Sequence, residues 1–276
     1  MRRLITLMAA ISAACLLSLV ACSSTRIGLE TAAAKALVSD DDEKQLGLQV
    51  KQELEQKQHV SYLGDPTVNS YVQSVIDRIL PYAKKDRPDE NWQLHVIDDM
   101  KTVNAFATPG GYIYVYSGLL AEAGNEAELA GVLSHECGHV VARHSARQMV
   151  DAYGLEAVLS LALGQNPSMV EQLASGVAAK GTMLANSRSD ETEADEYGAR
   201  YSSAAGYDPH GLVTFFEKLL KMQGSESKVL TFLSDHPATS DRIQHIQQYI
   251  AENHLTGSDL GADRLAPIKQ QLTSHP

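Results

Sequence analysis

His135-Glu136-Cys137-Gly138-His139, inside the run ELAGVLSHECGHVVARH, constrains this chain more than any other stretch. Leu129, Val132, Leu133, Val140 and Val141 give that run an apolar face, which requires a helix packed into a core. Asn125 followed three residues on by Glu128 predicts its start, as a cap with a third-position acid. Two histidines four apart on a helix project from one face, a turn apart, so both imidazoles can reach one Zn²⁺. The Glu directly after the first His points to the flank of that pair. There it can take a proton from zinc-bound water and pass it to a leaving amine. An ordinary core helix would carry the same apolar face, so the motif needs its missing partners.

A catalytic zinc held by two His needs a third protein ligand and an open fourth position. The long form of the motif would place Gly at 142 and His at 145, but the chain has Ala142 and Ser145. The segment SRSDETEADEYGARYSSAAGYDP supplies an alternative, a predicted helix ending at Gly206 with Glu191 and Asp195 four apart on one face. Glu191 is the expected metal ligand. Asp195 is expected to accept the free N–H of a zinc-bound imidazole, fixing its tautomer. Glu193 is the rival ligand, but two residues along a helix it points away from that face. Alone, such an acidic cluster is as readily a solvated helix face.

These motifs, with two further blocks, resemble the HtpX/BepA-like zinc metallopeptidases of the gluzincin group. HExxH spans His135 to His139, and ExxAD spans Glu191 to Asp195 with AGYDP after it. SDHPATSDRI carries His236-Pro237 and Arg242, and NAFATPGGYIYVYSGLL precedes the zinc helix. The blocks occur in order from about Asn104 to Arg242. The resemblance implies an α+β fold, a mainly helical zinc metalloprotease domain with a small antiparallel sheet beside the HExxH helix, and one Zn²⁺ per chain. It puts the His236 loop beside the metal, so His236 or Arg242 is expected to donate to the oxyanion. Alternatively, His236 fills the fourth zinc position and leaves the enzyme latent until its loop moves. The latent reading is favoured, because an always-active broad protease tethered among membrane proteins under assembly would be hazardous. In the related enzymes the Asn-Ala-Phe strand pairs with extended substrate, so Asn104, Ala105 and Phe106 are expected to bind substrate. Membrane-embedded relatives carry transmembrane helices and BepA-type relatives carry helical repeats; neither is visible in this sequence.

MRRLITLMAAISAACLLSLVAC reads as an export signal over residues 1–21, with Arg2 and Arg3 before a short apolar stretch. Leu19-Val20-Ala21-Cys22 resembles the bacterial lipoprotein processing site, which would make Cys22 the acylated first residue. Ser23 after it points to the outer membrane, facing the periplasm. With Cys15 in the signal and Cys22 lipidated, Cys137 remains alone, so the mature chain can form no internal disulfide. The net charge of −11 without a dense Lys/Arg patch makes nucleic acid a poor partner.

Residues 22–39 read as a lipidated tether, 40–255 as the metallopeptidase domain and 256–276 as a C-terminal tail of undecided structure. Val68, Tyr71, Val72, Val75, Ile76 and Ile79 mark an amphipathic helix after Asp65-Pro66. Trp92, Leu94 and Val96 alternate as a strand, and the Pro109-Gly110-Gly111 turn joins a strand pair. The Ala/Gly/Leu-rich stretch from Tyr153 to Ala185, broken at Gln165-Asn166-Pro167, predicts two helices, as a lid or as core. The expected activity is cleavage of unfolded or misassembled envelope proteins. The rival is a periplasmic chaperone or assembly factor with a mostly latent zinc site, working with the outer-membrane assembly machinery.

Overall fold

The computed structural model describes residues 38–180, 184, 186–222, 229–237 and 239–274; the signal, Cys22 and nearly all of the tether lie outside them. Three N-terminal elements lead toward the zinc helix: α1 (Asp40–Gln56), α2 (Pro66–Asp86) and β1 (Gln93–Ile97). Next come β2 (Ala105–Thr108), a tight turn at Pro109–Gly111, β3 (Tyr112–Tyr116), α3 (Ser117–Glu122) and α4 (Glu126–Val141). Asp65 caps α2 through the Thr67 and Val68 amides with Pro66 in its first turn, and Asn125 caps α4 through the Glu128 amide.

All of α4 is buried, because its apolar face meets α2 and the sheet while its polar face meets other helices rather than water. The densest of those contacts is with α8 (Arg188–Ala204). Gly138 makes that approach possible: a Cβ there would lie 2.7 Å from Tyr197 Cβ and 3.1 Å from the Ala194 carbonyl. The glycine of the zinc motif is what lets the acidic helix come close. Ser187 caps α8 in a reciprocal box with Asp190, and Gly206 ends it at φ 86°.

The sheet order is β1-β3-β2, with β2 antiparallel to β3 and β1 parallel to it. The class matches the expectation of a mainly helical α+β domain, but the sheet is mixed rather than antiparallel. The hairpin is local and legible, whereas β1 joins β3 by a long-range pairing that no turn announces. β3 is central and buried on both faces. Ile113 and Val115 enter the main core with α2 and α4; Tyr112, Tyr114 and Tyr116 enter a second core with α1.

After α4 the chain forms α5 (His144–Tyr153), α6 (Leu155–Ala162) and α7 (Pro167–Lys180). The two helices expected in the Tyr153–Ala185 stretch are α6 and α7, although residues 181–183 and 185 are not described. Val158, Leu161, Val170, Leu173 and Val177 bury them in the second core with α1. Past α8 follow α9 (Gly211–Met222), α10 (Leu230–Asp235), α11 (Ser240–Glu252) and α12 (Ala262–Ser274). The segment expected as a tail packs on the domain: Leu265, Ile268 and Leu272 of α12 join the main core, and Arg264 pairs with Glu126. Its short apolar spacing around Pro267 hid the helix from the sequence. Among the described residues, no helix is long and apolar enough to cross a membrane.

Candidate metal centre

His135 and His139 project from one face of α4, and Glu191 reaches them from the first turn of α8. His236, just past α10, closes the group from the opposite side. His135 Nε2 lies 3.0 Å from His139 Nε2 and 3.3 Å from His236 Nδ1. Glu191 oxygens lie 3.5 Å from His135 Nε2, 3.4 Å from His139 Nε2 and 3.1 Å from His236 Nδ1. All four residues are buried, and their donor atoms fall within 4.8 Å of one another. Bonds of about 2.0–2.1 Å in a tetrahedron separate ligand atoms by roughly 3.3 Å, close to the five separations above. Three imidazoles and one carboxylate fit a zinc ion in both chemistry and spacing.

Around that set, acids and an arginine hold the ligands. His135 Nδ1 lies 3.0 Å from Asp195 Oδ1, the relation expected of Asp195. Burial alone would raise the Glu191 carboxyl. The imidazoles of His236, His135 and His139 outweigh it and hold that group well below the usual carboxylate range. Glu136 is buried, and both its carboxylate oxygens are without a hydrogen-bond partner. Burial holds its carboxyl above its ordinary range, and His236 Nε2 is 3.6 Å away. Cys137 is a buried free thiol between the two histidines, outside the converging set.

Arg242 is engaged with the acids behind the ligands. Its Nε and Nη2 bind both oxygens of Asp195 at 2.8 and 2.6 Å, and Nη1 reaches Glu191 at 2.8 Å and the Pro237 carbonyl at 3.0 Å. A guanidinium forked onto two carboxylates is a clamp. Asn104 turns its side chain inward in the resting site. It is fully buried, its Nδ2 donates to Asp235 and its Oδ1 accepts from the Ala105 amide. Ala105 is buried too. The strand still reaches the site: β2 is an edge strand, and Phe106 and Ala107 line a cleft with Glu136, His139 and His236.

Sequence reasoning missed His144 and Asp235. His144 Nδ1 lies 2.7 Å from His139 Nδ1, and its Nε2 lies 3.3 Å from Glu193. Glu193, the rival ligand, is thus outside the metal-facing set. His144 ends the same run as the zinc motif, but five residues on along a continuous helix it would point elsewhere. Asp235 sits next to His236 and carries no pattern of its own; burial raises its carboxyl to about 6 despite the Asn104 amide.

Residues 66–250 match peptidase family M48. The chain is 36% identical to the mitochondrial metalloendopeptidase OMA1 of Schizosaccharomyces pombe, over 71% of this chain and 59% of that protein. It is 32% identical to metalloprotease LoiP of Escherichia coli, over 80% of this chain and 86% of that protein. The beta-barrel assembly-enhancing protease of Escherichia coli is 28% identical, over 66% of this chain and 38% of that protein. The chain thus spans less than two thirds of two of these three relatives. It belongs to peptidase family M48.

Proposed function

We propose that this M48 family member is a zinc-dependent endopeptidase that cleaves unfolded or misassembled envelope proteins. The observation that carries the reading is one buried carboxylate, Glu136, left without a hydrogen-bond partner beside four ligand atoms within 4.8 Å of one another. His135, His139 and Glu191 would hold the ion. A bound zinc supplies a water of lowered pKa and polarises the scissile carbonyl. Glu136 takes the proton from the attacking water and returns it to the leaving amine. With no other hydrogen-bond partner, its oxygens are free to serve both halves of that exchange. Asp195 holds the His135 ring, and Arg242 holds Asp195 and Glu191 in turn. The edge of β2 offers main-chain pairing to an extended peptide, which selects flexible segments over particular side chains.

His236 Nδ1, 3.3 Å from His135 Nε2 and 3.1 Å from Glu191 Oε1, supports a resting site kept latent by a fourth protein ligand until that imidazole withdraws. Membrane attachment through acylated Cys22 would confine the protease to the periplasmic face of the outer membrane, with misassembled outer-membrane proteins within reach. Loss of lipid labelling and of outer-membrane recovery in Cys22→Ala tests that location.

Glu136→Gln tests the activity. The variant should keep one zinc per chain and its fold while proteolysis of casein falls about a hundredfold or more. A variant that loses its zinc would make Glu136 structural. Activity surviving in a zinc-loaded variant would remove it from the mechanism.

A further inference from the structure

A zinc ligand imidazole is set by what its second nitrogen meets. For His135 that partner is Asp195. For His139 it is another histidine. His139 turns Nε2 toward His135 and Glu191, so in a metal-bound neutral ring Nδ1 must carry the proton. That nitrogen is 2.7 Å from His144 Nδ1. Two N–H groups cannot face each other, so His144 Nδ1 is the acceptor and its own proton sits on Nε2. Nε2 faces Glu193 Oε2 at 3.3 Å. Asp190 is farther, at 3.9 Å, and is paired with Arg147. The proton direction along the chain His139, His144, Glu193 is therefore fixed throughout.

The backbone is bent to achieve this. In an unbroken helix a residue five positions on is rotated by about 140° from the first, so His144 would leave the His139 face. Instead α4 stops at Val141 and Arg143 adopts φ 61°, a left-handed conformation that costs a non-glycine residue roughly 1–2 kcal/mol. Buried contacts from Arg143 to Glu43 and to the Val38 carbonyl hold the turn. α5 then restarts at His144, which is fully buried against His139.

We propose that His144, backed by Glu193, is a positioning residue of the metal site, accepting the outer N–H of His139 and so locking that ligand's tautomer and ring orientation. This rests on the zinc-site reading above. It gives the two histidine ligands different supports, a charged acid for His135 and a neutral relay for His139.

Zinc affinity of the purified full chain, measured by competition with a chromophoric chelator, tests it. His144→Phe keeps the ring volume but offers no acceptor, and should weaken zinc roughly ten- to a hundredfold. His144→Asn places an amide oxygen near the Nδ1 position and should recover most of that loss. Glu193→Gln, at a half-exposed site, should weaken zinc by a smaller factor. The His139 Nδ1 proton should give a downfield ¹H resonance in the zinc-loaded wild type and the Asn variant, and lose it in the Phe variant. Wild-type affinity in His144→Phe overturns the proposal. Equal losses in Phe and Asn do so as well, since they report packing rather than the acceptor. A wild type that binds no zinc sinks the metal-site reading itself, and this inference with it.

Discussion

Asn104 Nδ2 donates to Asp235 Oδ2 across 2.9 Å, joining the start of the edge strand to the residue that precedes His236. The Asn104 carbonyl also accepts the Tyr116 amide, so the same residue is pinned into the sheet. Strand β2 and the His236 loop are therefore positioned by one buried side chain.

Asn104→Ala should leave the buried Asp235 carboxylate short of a donor, at about 1–3 kcal/mol in stability. Chemical denaturation of metal-free protein measures this. A loss below roughly 0.5 kcal/mol, the range of a plain surface substitution, would mean that the pair does not hold the two segments together.

Arg242→Ala separates a clamp from an oxyanion donor. Removing the guanidinium leaves buried Asp195 and Glu191 with only the site histidines to offset their charge, and breaking a buried pair costs about 3–5 kcal/mol. The loss should appear in the apo protein, before any substrate is present. A variant with wild-type apo stability but slowed turnover would return Arg242 to the transition state.

Glu126 gives an acid limb to stability. Burial alone would raise its carboxyl, but hydrogen bonds from Arg264, Tyr207 and Tyr71 outweigh it and lower the pKa. A carboxyl lowered on folding adds stability that is complete above its unfolded value, about 4.3, and lost as pH falls through the folded value. Glu126→Gln should be less stable than wild type at pH 7, and the gap should close as pH drops below about 4. Melting temperatures of both proteins from pH 3 to 7 decide this; a gap that does not change with pH excludes the carboxylate as its source.

The parts of this molecule legible in the sequence were those written in local periodicity. His135 and His139 share a helix face by spacing alone, as do Glu191 and Asp195, and the Pro109–Gly111 turn announced its hairpin. What stayed hidden depends on long-range meetings. Gly138 looks idle in the motif until Tyr197 and Ala194 arrive against it. His144 reaches His139 only through a left-handed Arg143, which no glycine or proline marks. Asn104 and Arg242 carry letters that suit a substrate-facing group, and each also meets a buried acid from a distant segment.

His236 carries the sharpest prediction. Its Nδ1 sits 3.3 Å from His135 Nε2 and 3.1 Å from Glu191 Oε1, spacings that suit a fourth ligand to the same ion. Its ring is buried, its centroid 5.2 Å from that of Phe232, so the imidazole must leave a packed position to open the site. His236 also lines the cleft with Glu136 and His139, so as an oxyanion donor it would need only to release the ligand cluster. On the latent reading, His236→Ala should keep zinc through His135, His139 and Glu191, at reduced affinity, and cleave unfolded substrate at least as fast as wild type. Assays at saturating zinc separate the loss of a ligand from the gain of an open position. A clear fall in activity with zinc still bound would end the latent reading and make His236 a transition-state donor.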